Sequence, residues 1–348
     1  MLEINKHHQS IDYKVEIEKK IENIREFFTS KNYQEIPEVP ITSNIDPTVR
    51  FIGSHISVFK PYLANQIIPN SGIFMKQECI RTHNVKNIMD TKNTINWGST
   101  FPSIGALVAY NKLDQILHDG IDLLKTVFDV SLNQIYLNIS DKDIDLAAAI
   151  KSNSQLISKN ILFNTKADNY YRHAIGMDGM IGRNFNFAVE NHGLIEDVGN
   201  LIVIEDSQIG PFAVELAIGI TTILKQKYNL PHILDLEQVD SKRVEGKESS
   251  LRRFEDGLTT SNRLILEGLR PFGDNNQSRI LKKYIKSVIY HSLNLGYVDS
   301  DIQNYIRNIN NKKVQKNNEL LYEFIIFSSR KFLKEKLIPK KIKKSIKF

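Results

Sequence analysis

The side chains most able to do chemistry here are cationic, and they crowd one end of the chain. Residues 241–348 hold 24 Lys and Arg against 11 Asp and Glu, a net +13, whereas residues 1–240 hold 22 against 29, a net −7. The last eighteen residues alone carry eight Lys and one Glu. An acidic first part joined to a basic second part suits a polyanion as partner. Nucleic acid is the first candidate and an anionic membrane surface the second. A solvated lysine-rich face accounts for the tail equally well. Within the basic part, Ile280, Leu281, Tyr284, Ile285, Val288 and Ile289 form one stripe at helical spacing, and Lys282, Lys283 and Lys286 fall largely off it. Together with Arg279 they could meet phosphates.

Other chemistries lack their residues. The nine His are scattered, with no HxxxH or HxH pair, and His7-His8 sits near the terminus. No metal site is expected. The lone Cys79 can form neither an internal disulfide nor a multi-cysteine zinc cluster. No Walker-type loop, strand-linked GxGxxG or nucleophile elbow occurs. The glycine-punctuated run Gly176–Gly182 is expected to make turns. No run of about 18 apolar residues is present, which excludes a membrane-spanning helix. The polar N-terminus is not a signal peptide. With a single cysteine, a reducing, cytoplasmic setting fits.

Length and pattern set the elements that position these groups. At 348 residues, 41% hydrophobic and 25% charged, the chain suits a soluble globular protein of two domains. Periodicity predicts helices over 11–30, 103–124, 217–228, 278–294 and 318–337, and strands near 49–52, 72–81, 134–139, 185–189, 201–204 and 211–216. Asn44-Ile45-Asp46-Pro47-Thr48 reads as a turn. Strand signals end near residue 240. The expected organisation is an α+β domain over 1–240 followed by an all-α basic domain over 241–348.

Six blocks, in order, resemble alanyl-tRNA synthetases. Asn44-Ile45-Asp46-Pro47-Thr48-Val49-Arg50-Phe51, continuing to Phe59-Lys60, is similar to the family's N-x-D-P-T-x-x-F segment. Gln77-Glu78-Cys79-Ile80-Arg81 with His83-Asn84 resembles motif 2. Ala167-Asp168-Asn169-Tyr170-Tyr171 is similar to S-D-N-F-W, and Gly199-Asn200-Leu201-Ile202-Val203 to W-N-L-V-F. Glu267–Pro271 and Ile280–Lys286 resemble blocks of the helical tRNA-recognition domain. The likeness spans roughly residues 20–297.

The resemblance implies a class II synthetase fold, an antiparallel sheet flanked by helices. It implies ATP and Mg as cofactors if the protein is active, with Arg81 stabilising the α-phosphate and His83 and Asn84 touching ATP. Glu215 falls where an acid binds the substrate ammonium, and Tyr171 where an aromatic flanks the amino-acid pocket. A tRNA acceptor stem is the implied partner of Arg279, Lys282, Lys283 and Lys286, and a homodimer through 46–60 is expected.

The pattern also breaks. The motif 3 Glu-Arg pair is replaced by Thr221-Thr222, and threonine offers neither charge nor planar stacking. The acid of the G-P-C-G-P-C-T-E segment becomes Asn186. Lost charges over a kept framework suggest a paralogue that binds tRNA or aminoacyl-tRNA with weakened or lost adenylation. A repurposed ATP-dependent ligase, with Arg183 replacing the missing cation, is the alternative. A regulatory subunit docking on a full-length synthetase is a third reading.

Overall fold

The computed structural model describes residues 11–153, 155–156, 158–309 and 315–334. His7-His8, the Asn/Lys-rich residues 310–314 and the basic tail beyond 334 lie outside them. In chain order the elements are α1 (Tyr13–Ser30), β1 (Gln34–Glu35), α2 (Ile56–Ala64), β2 (Ile73–Ile80), β3 (Thr100–Ala109), α3 (Leu113–Thr126), β4 (Ile135–Ile139), α4 (Ile144–Ser152), β5 (Ile161–Phe163), β6 (Arg172–Ala174), β7 (Met180–Asn191), β8 (Leu194–Asp206) and β9 (Gly210–Gly219). Helices α5 (Ile220–Lys227), α6 (Glu248–Leu266), α7 (Asn276–Leu295), α8 (Asp299–Ile309) and α9 (Gln315–Lys334) complete them. They form two compact units. One comprises 1–38, 59–77 and 102–230, the other 39–58, 78–101 and 231–348.

The first unit is built on a sheet of order β1-β2-β3-β9-β8-β7-β4-β5, with β6 beside β7. Its centre is antiparallel from β3 through β9, β8 and β7 to β4, and the pairs β1–β2 and β4–β5 toward the edges are parallel. This is the α+β class expected. Phe185, Phe187, Leu201 and Leu216 are fully buried, as are Ile116, Leu117 and Leu124 of α3. A Cβ on Gly120 would stand 2.9 Å from the Phe187 ring, so the helix lies this close to the sheet only because residue 120 has no side chain.

Three expectations need correction. Residues 103–109 are strand, not helix: β3 pairs with β9 from Ser103↔Gly219 to Ala109↔Ala213. Nearly every β3 side chain is buried, so both faces are apolar and the two-residue alternation that marks a strand is absent. Ala217–Gly219 likewise finish β9, and the helix begins only at Ile220. Residues 49–52 form bends instead of a strand. There Asp46 Oδ1 accepts from Thr48 N at 3.0 Å and Thr48 Oγ1 at 2.7 Å, and Oδ2 accepts from Ser57 Oγ at 2.8 Å. A buried Asx turn fixes the segment in place of a ladder.

The second unit packs α6, α7, α8 and α9 around one apolar cluster that includes Leu251, Phe254, Leu258, Leu281, Tyr284, Val288, Ile306 and Leu321. Residues Ser249–Asn262 of α6 are all buried, polar ones included. Helix α7 starts where the Asn275 side chain accepts from Ser278 N, and ends at Gly296 with φ +78°. The Glu267 carboxylate accepts from Ile41 N and Thr42 N, and Gln277 donates to Thr42 O and Arg50 O. These bonds tie 39–58 to the helical unit.

Candidate functional site

Arg81 follows β2 and caps the short 3₁₀ turn Thr82–Asn87. Its N–H donates to Ser99 O at 2.8 Å. Its exposed guanidinium lies over the Phe101 ring, 5.2 Å from the centroid. A cation resting on an aromatic face keeps its planar fork of donors oriented. His83 is exposed. Asn84 commits its amide internally, donating to Trp97 O at 3.0 Å, Ser99 Oγ at 3.3 Å and Asp256 Oδ2 at 3.1 Å. Asp256, on α6, also accepts from Ser99 N at 2.5 Å and Ser99 Oγ at 2.8 Å. Burial pushes this carboxyl up to about 6, against the opposing pull of the Ser99 and Asn84 hydrogen bonds. The structure thus gathers Arg81 and Asn84 around Ser99 and Asp256, two residues that sequence reasoning missed. Asp256 sits 172 positions beyond Asn84, and no spacing rule connects them.

The first unit carries a second constellation on one face of its sheet. Register aligns Asn138↔Asn186↔Asn200↔Ala217 and, two residues along, Asn184↔Ile202↔Glu215. Residues two apart on a strand share a face, so four asparagines and Glu215 stand together. Glu215 is 1% exposed. Asp197 accepts from Tyr170 Oη at 2.5 Å, Asn138 Nδ2 at 2.6 Å and Asn186 Nδ2 at 3.2 Å. Burial, then the Asp197 bond, raises the Tyr170 hydroxyl above its ordinary pKa. Tyr171 is fully buried, its hydroxyl 3.4 Å from Thr165 Oγ1. Asn138, Asn184, Tyr170 and Asp197 were not anticipated as site residues. The alternation Asn184-Phe185-Asn186-Phe187, amide on one face and aromatic on the other, is the signal that could have revealed them.

Arg183, the suggested replacement cation, is already engaged. Its guanidinium meets Asp145 Oδ1 at 2.8 Å, Glu205 Oε1 at 2.7 Å and Asp143 Oδ1 at 3.2 Å. Asp143 also pairs with Arg172 at 2.8 Å. The Arg183 hydrogen bond, outweighing burial, holds Asp145 down at about 2. A guanidinium enclosed by three carboxylates has no free edge for a phosphate, so the substitution suggested for Arg183 is not supported by this geometry.

The model of the family described as tRNA synthetases class II (A) matches residues 22–202, just over half the chain. The chain belongs to this family. Alanine–tRNA ligases are among its relatives: that of Cytophaga hutchinsonii is 26% identical over 167 residues, 45% of this chain and 19% of the relative. That of Mycoplasma capricolum is 24% identical over 153 residues, 42% and 16% respectively. The chain therefore spans less than a fifth of the length of these relatives, and it is an alanyl-tRNA synthetase-like member of class II. Among solved structures, the aspartyl-tRNA synthetase of Entamoeba histolytica is 11% identical with a TM-score of 0.42, covering 68% of this chain and 62% of that one. The histidyl-tRNA synthetase of S. aureus is 12% identical with a TM-score of 0.39, covering 68% and 76%.

In this class II member, β9 runs directly into α5, and Thr221 and Thr222 occupy the first turn of that helix. Thr221 is buried, and its hydroxyl has no hydrogen-bond partner among the described residues. Thr222 Oγ1 packs over Gly219, 3.0 Å from where a Cβ there would stand. On α7, Arg279, Lys283 and Lys286 are exposed at i, i+4 and i+7, a single stripe. Lys282 is half-buried, and its Nζ donates to Gly273 O at 2.6 Å.

Proposed function

We propose that this chain is an alanyl-tRNA-synthetase-like protein that binds a tRNA acceptor stem or an aminoacyl-tRNA and has weakened or lost adenylation. The observation that carries this reading is the pair Thr221-Thr222 at the head of α5, with the suggested replacement cation, Arg183, enclosed by Asp143, Asp145 and Glu205. Losing one charge-assisted phosphate contact costs a few kcal/mol of transition-state stabilisation, about 10²-fold or more in rate. Arg81 remains exposed for an α-phosphate. Magnesium would enter with the phosphates of ATP. The Arg279–Lys283–Lys286 stripe supports the nucleic-acid side, since duplex RNA is read mainly through shape and phosphate contacts.

ATP–pyrophosphate exchange across a panel of amino acids, with and without tRNA, tests the reading. Silence, or exchange at least about 10²-fold below an active synthetase, is expected. Robust exchange with one amino acid would establish the repurposed-ligase alternative instead. The surviving Arg81 and the buried Glu215 favour that second reading. Light scattering tests the homodimer expected through residues 46–60.

A further inference from the structure

The second unit holds a buried acid that the proposed function does not use. Asp256 is 3% exposed and Ser99 is fully buried, so water cannot substitute for lost bonds between them. Three donors converge on the two oxygens of one carboxylate: the Ser99 N–H, the Ser99 hydroxyl and the Asn84 amide. Ser99 in turn accepts the Arg81 N–H through its carbonyl, at 2.8 Å. Asn84 lies within the turn that Arg81 begins. The first half of the Arg81 turn is therefore tied to one side chain on α6 at two points, Asn84 directly and Arg81 through Ser99.

An ionised carboxylate is an acceptor only, which is what three donors require. A protonated one must place its own O–H, so the Ser99 hydroxyl has to stop donating and accept instead. The remaining bonds from the Ser99 N–H and the Asn84 amide then lose their charge assistance and weaken. We propose that ionised Asp256 is a positioning latch for the Arg81 turn, so that uptake of one proton loosens the turn and lowers the affinity of Arg81 for a phosphate-bearing ligand. This rests on the reading of Arg81 as phosphate-facing.

The surroundings favour a proton that comes on within the working range. Burial raises the Asp256 carboxyl to about 6, and Glu237, from residues Ile233–Glu237, adds repulsion. Arg253 and Arg263 on α6 itself supply the opposing positive charge. Arg263 is bound to Glu237 at 2.9 Å and feels Glu78 of β2. From α7, Tyr284 faces the same acid, and its hydroxyl is raised well above its ordinary value, so it stays neutral. Arginine keeps its charge at any pH of interest.

The test uses the full chain and ATP. Amide signals of Ser99 and Asn84, and the Arg81 Nε–H signal, are followed by NMR from pH 7.5 to 5, and ATP affinity is measured over the same range for wild type and Asp256→Asn. Joint movement of the three signals with one midpoint near pH 6 is expected. At pH 5 about one molecule in ten keeps the ionised form, so wild-type affinity should fall about tenfold more between pH 7.5 and 5 than that of Asp256→Asn, whose neutral amide stands in for the protonated acid and which binds weakly throughout. Proton uptake by ATP itself persists in the variant and cancels. Flat Ser99 and Asn84 signals would overturn the latch, as would equal pH dependence in the two proteins. The wild-type signals decide this even if the variant fails to fold. If ATP binds neither protein while the three signals still titrate together, the latch stands and the phosphate reading of Arg81 falls.

Discussion

Arg183 shows how a residue can look catalytic in sequence and be structural in space. Its position in a glycine-punctuated segment drew attention, but the carboxylates that enclose it come from residues 143, 145 and 205, whose convergence no linear motif announces. The cage makes a prediction. Asp145 sits at about 2 in the folded chain, below the ordinary value of 3.8. A depressed carboxyl stabilises the fold above its unfolded pKa and loses that contribution as pH falls through the folded value. The contribution is on the order of 2 kcal/mol, allowing for its partial exposure. Asp145→Asn should lower stability by that amount at pH 7, and the gap to wild type should close between about pH 4 and 2 in urea unfolding. Gly199 is the converse case, a residue the sequence passed over that the packing requires. It stands where the alanyl family carries tryptophan, yet a Cβ there would collide with the Ala217 carbonyl. Restoring the family residue, Gly199→Trp, should therefore unfold the first unit instead of improving it, which circular dichroism would show.

At the scale of elements, legibility followed exposure. Helices α1 and α7 and strand β4 were readable because each alternates apolar and polar side chains at its own period, or ends on a clear cap such as Asn275 or Gly296. Strand β3 was read as helix because burial on both faces erased its alternation. Helix α6 was missed for the opposite reason. Its buried surface mixes Leu251, Phe254 and Leu258 with Ser, Arg, Glu, Asp and Thr, and part of the pairing that makes this burial tolerable comes from elsewhere in the chain, as Arg252 with Asp235 at 2.6 Å beside its partners Glu248 and Glu255 on the same helix. The approach of α6 to α7 runs through Gly257, where a Cβ would meet Tyr284 O and Val288 Cγ2 at 3.1 Å each. Backbone on one side leaves no flexible neighbour to yield. Gly257→Leu should cost about 3 kcal/mol or more by overpacking, read as a lowered denaturation midpoint. The same change would disturb Asp256, so a matched loss of the Arg81 signal pattern is expected with it.

For the whole molecule, the charge asymmetry is the property that composition alone established, and the structure now assigns part of it to a surface. Arg279, Lys283 and Lys286 are exposed on one stripe of α7, while Lys282 is partly occupied by the Gly273 carbonyl. Cations that meet phosphates release counterions, and each contact adds about 0.7–0.9 to the slope of log affinity against log salt. The double variant Lys283→Glu, Lys286→Glu should therefore weaken tRNA binding and flatten that slope by about 1.5, with little change in folded stability because both side chains are exposed. Lys282→Glu should do less to the slope, since its ammonium already has a protein partner. Filter binding of tRNA over a range of salt concentrations separates these outcomes. A stripe that served only solubility would leave the slope unchanged in both variants. Such a result would shift the polyanion contact to other cations of the second unit, or remove it from the function altogether.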